Sequence, residues 1–251
     1  MTAVIDFTSY EESVPALLHL IQTETSLPQT GTIVIKPNLI NDSPPPITTP
    51  AACCRALVDS IRSISTARVV IAEGCGQPGL DTPAVFDRLG YTDMAAGCGV
   101  QLVDLNTAQL VRMHNPECRI FPEIFLPQIA VNSYLISVPV LKAHSLAGIT
   151  GALKNMIGLA PPAYYSGQSG TWKKAAFHCD VQQSIRELNS YKAPDLCIMD
   201  ASVGMPEYHL GGAHCTPPLE VLVGGCDPWE VDRKGAELLG RDWTKIKHLQ
   251  K

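Results

Sequence analysis

Residues 134–158 read YLISVPVLKAHSLAGITGALKNMIG. The apolar, β-branched start has the character of a buried strand that runs out at Pro139. Lys142 and His144 follow in the connection, and a helix is expected from about Ser145, with Gly148, Gly151, Lys154 and Asn155 on its early turns. A strand that passes through a basic connection into a helix is the repeating unit of an open α/β sheet. In such sheets ligands bind beyond the carboxyl ends of the strands, where helix amino termini offer free N–H groups to anions. On this reading Thr150 and Lys154, four apart, share a helix face, and Gly148 and Gly151 let a backbone or a ligand approach closely. By residue type alone the lysines would serve equally well as solvated groups and the glycines as packing positions.

Working outward, similar short runs occur at 32–36 (TIVIK), 69–73 (VVIAE), 100–105 (VQLVDL), 196–200 (LCIMD) and 219–224 (LEVLVG). Helical patterns lie between them. In 50–64, Pro50 suits the first helical position behind Thr49 as cap, and Cys54, Leu57, Val58, Ile61 and Ile64 form one apolar face. Asp227, followed by Pro228 and Glu230, marks a second helix start, with Gly240 as its stop. This alternation predicts an α/β fold, a mostly parallel sheet with helices on both faces. The span 1–251 reads as a single domain; any division into two lobes would fall near 110–130. The aperiodic segment 159–177 is a candidate lid. Pro161 and Pro162 stop the preceding helix, Gly167 and Gly170 permit bending, and Tyr164, Tyr165 and Trp172 supply apolar surface. A loop packed permanently on the domain or on a partner subunit is the alternative.

Composition sets outer bounds. At 251 residues the chain is long enough to bury about 70% of its surface. With 45% hydrophobic and 17% charged residues it is neither disordered nor fibrous. A net charge of −5 argues against a nucleic-acid partner. The nine Cys are odd in number and lack a CxxC pair, as expected for reduced thiols in a cytoplasmic protein. The first residues are too acidic for a signal peptide, and no apolar run reaches membrane-spanning length, so no membrane partner is expected. A homodimer is compatible with all of this.

Several further residues could carry chemistry. The first strand ends in KPN, which brings Lys36 and Asn38 to the carboxyl edge of the sheet. The second ends at Glu73 and enters GCGQPG, a match to GxGxxG at Gly74, Gly76 and Gly79. Pro78 and the following LDTP delay the helix to about Pro83, and Asp104 stands too far from Gly74 to act as the ribose-binding acid, so NAD binding is not expected. Asp200 closes a later strand, with Glu207, His209 and His214 in the Gly-rich loop beyond it. Added to His178, Cys179 and Cys215, these residues could be drawn as a metal site, but the spacing follows no zinc pattern and no metal is expected. Asp200 or Glu207 could instead supply a carboxylate for proton transfer, or Asp200 could merely cap a loop.

Taken in order, IVIKPNLI, VVIAEGCG, FDRLGY, VQLVDLN, LKAHSLAGITGALKNMIG, SIRELN, PDLCIMDASVGM, the Gly211–Gly212 pair and GGCDPWEVD resemble the family called domain of unknown function 362. The resemblance spans about 30 to 240, and the 142–158 motif is its most specific part. Many members carry ferredoxin-like Cys motifs for [4Fe–4S] clusters. This chain has no C-x2-C-x2-C run, so the resemblance brings no cluster with it. Cys75, Cys215 and Cys226 fall where relatives tend to have small residues, which implies packing roles.

The expectation is therefore an enzyme acting on a small anionic metabolite by acid/base chemistry, such as isomerisation, elimination or cyclisation. Lys36, Lys142 and Lys154, with Asn38, Thr150, Asn155 and the helix amino terminus, hold the anion. His144 transfers a proton, and Glu73 or Asp200 orients or opposes it. No activated Ser or Cys can be proposed from spacing, so covalent catalysis is not expected. The rival is a non-catalytic protein, either an electron-transfer accessory that borrows a cluster from a partner or a ligand-binding scaffold.

Overall fold

Ile33 and Ile35 face one apolar layer and Val34 the opposite one, as a strand covered on both sides requires. The computed structural model describes residues 1–23, 26–167 and 172–250. In chain order the first half comprises β1 (Thr2–Asp6), α1 (Tyr10–Leu20), β2 (Thr32–Pro37), α2 (Ala51–Ile64), β3 (Arg68–Glu73), α3 (Thr82–Arg88), α4 (Tyr91–Cys98) and β4 (Gln101–Asp104). Next come β5 (Leu110–His114), β6 (Glu123–Pro127), α5 (Gln128–Val131), β7 (Tyr134–Val138), β8 (Val140–His144), β9 (Gly148–Thr150) and α6 (Ala152–Asn155). The chain continues through α7 (Pro162–Tyr165), α8 (Val181–Tyr191), β10 (Leu196–Met205), β11 (Val221–Gly225) and α9 (Pro228–Leu238).

The main sheet runs β1-β11-β10-β7-β2-β3-β4, parallel from β10 to β4 and antiparallel at the β11 and β1 edge. It is a mostly parallel mixed sheet. One face is covered by α1, α2, α3 and α4, the other by α6 and α8. Segment 110–130 includes a separate antiparallel pair, β5 and β6. Among the described residues, no helix is long and apolar enough to cross a membrane.

Local chemistry explains where the elements begin. Asp227 caps α9 by accepting from Trp229 N and Glu230 N, and Gly240 follows the helix at φ +66°. The cap of α2 is Pro50 rather than Thr49. Thr49 is used elsewhere: its hydroxyl accepts from Asn38 N at 2.9 Å and donates to Val138 O at 2.7 Å, tying together the ends of β2 and β7.

The expected helix from Ser145 does not form. β8 continues to His144, turns through 145–147, and returns as β9 with Lys142 opposite Thr150. Two causes can be named. His144 Nδ1 accepts from Leu146 N (3.2 Å) and Ala147 N (3.1 Å), which locks a turn, and Gly148 at φ +82° closes the hairpin. Helix α6 begins only at Ala152, and its first donors are taken by Asp232 of α9, which accepts from Ala152 N at 2.6 Å and Leu153 N at 3.0 Å. Thr150 and Lys154 therefore share no helix face, and the amino terminus of α6 is not free to hold an anion.

Candidate functional site

A cavity of about 240 Å³ opens beyond the carboxyl ends of β2 and β3 and against β8, β9 and α6. Lys36, Asn38, Glu73, Lys142, His144, Thr150, Lys154 and Asn155 all line it. Lys174, His178 and His209 join them, together with Ile40, Leu146, Trp172 and Tyr208. Asp200 does not reach it. β10 runs on to Met205, so Asp200 lies mid-strand, accepting from Tyr10 Oη at 2.7 Å and Ser202 N at 2.9 Å. Its expected part in proton chemistry gives way to a buried tie between β10 and α1.

The floor is a fully bonded polar cluster. Lys36 Nζ donates to Glu73 Oε2 (2.9 Å), Asn155 Oδ1 (3.1 Å) and Pro37 O (3.2 Å), which uses all three of its protons. Glu73 also accepts from Gly74 N at 2.7 Å and Leu39 N at 3.2 Å. Asn155 passes the network on, accepting from Asn38 Nδ2 and donating to Lys36 O and Ser137 Oγ. Gly158 is required by space, since a Cβ there would stand 2.3 Å from Glu73 Oε1 and 2.5 Å from Lys36 Nζ. Gly74 is equally confined, by Asn106, Gly158 O and Lys174. The glycine after β3 thus serves close packing of polar groups, while Asp104 accepts from Thr82 Oγ1 at the start of α3 and from Asn106 N.

Three more lysines stand around this floor. Lys142 Nζ donates to Asn38 Oδ1 at 2.9 Å and to Ile47 O. Lys174 Nζ donates to Asn106 Oδ1 (2.8 Å) and Gly158 O (2.7 Å). Among the described residues no hydrogen-bond or ion-pair partner is found for the Lys154 ammonium, and its side chain keeps partial exposure. Four lysines against the single carboxylate of Glu73 is a large positive excess in a poorly solvated place. Burial accordingly pushes Lys142 down to about 7, with Lys154 adding to the effect. Burial and Lys36 bring Lys154 to about 8, and burial brings Lys174 to about 7 against an upward pull from Glu73.

The cleft histidines are held below the usual imidazole range. Burial, and then the charge of Lys154, hold His144 near 2 and His209 near 3, and lower His178. Because His144 Nδ1 accepts two backbone N–H groups, its proton sits on Nε2. The ring is therefore fixed as a neutral hydrogen-bond donor. An imidazole whose accepting nitrogen is occupied in this way is better suited to donate a hydrogen bond than to take a proton. His209 stacks on it at 4.1 Å between ring centroids. Thr150 Oγ1 and His209 Nδ1 are buried without a partner, so two polar atoms remain unsatisfied beside the cavity.

Lys174 and Trp172 come from the 159–177 segment, which carries α7 and a 3-10 turn at Ala175–His178. Its flanks are tied down: Tyr165 Oη accepts from Phe125 N at 2.8 Å, and Tyr164 stacks on Phe125 at 4.2 Å. Gly170, expected to permit bending, lies outside the described residues. Sequence reading missed Lys174 because a lysine in an aperiodic loop resembles any solvated charge. It noticed His178 and His209 only as metal candidates. Among the described residues no group of three or more His, Cys, Asp or Glu is placed to hold a metal ion. Cys75 is buried as a packing role requires, but Cys226 is exposed.

A family model described as Domain of unknown function (DUF362) matches residues 33–237. No curated protein matches the sequence. Among solved structures, the lactate racemase apoprotein from Thermoanaerobacterium thermosaccharolyticum is similar at a TM-score of 0.56 and 12% identity, over 93% of this chain and 56% of that one. A Thermotoga maritima protein is similar at a TM-score of 0.44 and 10% identity, over 78% of this chain and 51% of that one. This chain thus spans about half the length of these solved chains. The likeness to the first is one of α/β fold.

Proposed function

The chain belongs to the domain of unknown function 362 family, and on that premise we propose that it is an enzyme that binds a small organic anion and moves a proton on it. One observation carries this reading: four lysines and one carboxylate share a cavity at the carboxyl edge of a parallel sheet. Uncompensated ammonium groups in such a place either lose their protons or take an anionic ligand. Both options are chemically useful. Lys154, without a partner, and Lys174 supply positive charge to the anion. Lys142, oriented by Asn38 and poised near neutrality, is the group suited to accept and return a proton. His144 offers Nε2–H to an oxygen on which negative charge develops. Lys36 and Glu73 hold the floor rigid and pre-charged. This chemistry requires no cofactor and conflicts with none. The lactate racemase relative, named for the racemisation of a small hydroxy acid, supports an isomerisation over an elimination or a cyclisation.

The test is direct. Phosphate and lactate should raise the melting temperature, by an amount equivalent to about 2.7 kcal/mol at a hundred times the dissociation constant. Lys154→Met and Lys174→Met should remove that rise while leaving the fold intact. In D2O with the protein, small 2-hydroxy acids should then exchange the hydrogen on C2, and small 2-oxo acids those on C3, observed by NMR. Anion binding without exchange would favour a ligand-binding protein, and a shift that survives both substitutions would overturn the site.

A further inference from the structure

The cavity is larger than its basic floor needs. At the roughly 30 Å³ that each water takes in the liquid, 240 Å³ holds about eight of them, more than inorganic phosphate or a three-carbon acid would fill. The upper part also has a different chemistry. Six large hydrophobic side chains are exposed among the described residues, and three of them, Leu146, Trp172 and Tyr208, line this one cavity. Trp172 and Tyr208 come from separate loops, and Ile40 contributes from a third segment. Exposed aromatic groups gathered at one mouth mark a surface that is covered in use. Below them lie Thr150 Oγ1 and His209 Nδ1, both buried and without partners. The buried part of the lining is therefore cationic, with unsatisfied polar atoms among the charges, and the exposed part is apolar and aromatic.

We propose that the ligand is an organic anion with an aromatic or flat unsaturated body. Its carboxylate or phosphate head lies on Lys154 and Lys174, and its body lies against Leu146, Trp172 and Tyr208. This rests on the anion-site reading above and narrows it to a substrate class. A polar group between head and body, such as a hydroxyl or carbonyl oxygen, would reach Thr150 and His209. The mouth then selects by the body and the floor by the charge, a division that ligand pockets with a few placed polar groups commonly show.

Calorimetric titration of the full chain with two matched pairs tests this: lactate against 3-phenyllactate, and inorganic phosphate against phenyl phosphate. Each aryl compound should bind at least tenfold more tightly than its small counterpart, and the pair with the tighter members identifies the head group. Trp172→Ala and Tyr208→Ala, both at exposed positions, should remove most of that gain and leave the small anions within twofold of their original affinity. Lys154→Met should weaken both members of each pair to a similar degree. If small anions bind in a lysine-dependent way but the aryl group adds nothing, or adds as much in both aromatic variants, the substrate class is wrong and the anion site stands. If no anion binds, or binding ignores Lys154→Met, the anion site fails and this inference falls with it.

Discussion

Lys36 Nζ lies 2.9 Å from Glu73 Oε2, and both side chains are shut away from solvent. Removing one partner of such a pair leaves the other charge buried and uncompensated, which typically costs about 3–5 kcal/mol. Glu73→Gln should therefore lose stability on that scale in chemical denaturation. Lys36→Met should also destabilise, and the double variant should lose less than the two losses added. A coupling energy below about 0.5 kcal/mol, the usual limit for independent sites, would show that the pair is not energetically linked.

Gly158 and Gly97 make opposite predictions for the same substitution. Gly158→Ala drives a methyl group into Glu73 and Lys36 and should destabilise by about 1–3 kcal/mol, as overpacking does. Gly97, inside α4, has nothing nearer its Cβ position than Arg55 Nη1 at 3.8 Å. Gly97→Ala should gain about 0.4–1 kcal/mol by restricting the unfolded chain. Thermal melts of the two variants decide the matter, and equal effects would contradict the close packing of the floor.

The cleft lysines give the free protein a distinctive dependence on pH. Lys142 and Lys174 titrate near 7 and Lys154 near 8 when folded, whereas unfolded lysines hold their protons to about 10.4. Between these limits the unfolded chain binds more protons, so stability should rise with pH from about 7 towards 10. Below about 7 both states are protonated, and the contribution of these groups is at its least favourable. Urea midpoints across this range should show the rise, and Lys142→Met should reduce its slope. A flat profile would mean that the lysines keep ordinary proton affinities.

Anion binding should reverse that proton deficit. A negative ligand held on Lys154 and Lys174 favours their charged forms and draws their pKa values back up. Titration with phosphate at pH 8.5 should take up protons from buffer, and less so at pH 6, where the lysines are already charged. Affinity should fall as pH rises above 8. Calorimetry in two buffers of different ionisation enthalpy measures the uptake; identical heats in both would mean that the anion binds elsewhere.

His144→Asn separates the turn from the chemistry. The asparagine oxygen can replace Nδ1 as acceptor for the N–H groups of Leu146 and Ala147, while the donor at Nε2 is lost. The melting temperature should be little changed, and α-proton exchange in D2O should slow by about 10²–10³-fold, the usual effect of losing one oxyanion donor. Undiminished exchange would remove His144 from the reaction.

Much of the architecture was legible in the residues themselves. The runs at 32–36, 69–73 and 134–138 are strands because short β-branched segments buried on both faces have few other solutions, and 101–104 adds the half-exposed edge strand. Asp227, Pro228 and Gly240 bound a helix through local hydrogen bonds and backbone preferences that need no distant partner. Lys36, Glu73, Lys142, His144 and Lys154 could be singled out because charged groups at strand ends have to go somewhere in an α/β sheet, and the carboxyl edge brings them together. Other features depended on contacts distant in sequence. Asp232 takes the amino terminus of α6 from 80 residues away, so no local pattern reveals that this helix cannot bind an anion. Asp200 looks like a strand end until β10 is seen to continue to Met205 beside β8. Lys174 becomes a cleft lysine only because a loop folds back onto Gly158 and Asn106. Periodicity and caps report forces acting over a few residues, whereas burial, proton affinity and the tautomer of His144 are set by what the whole chain packs around each group.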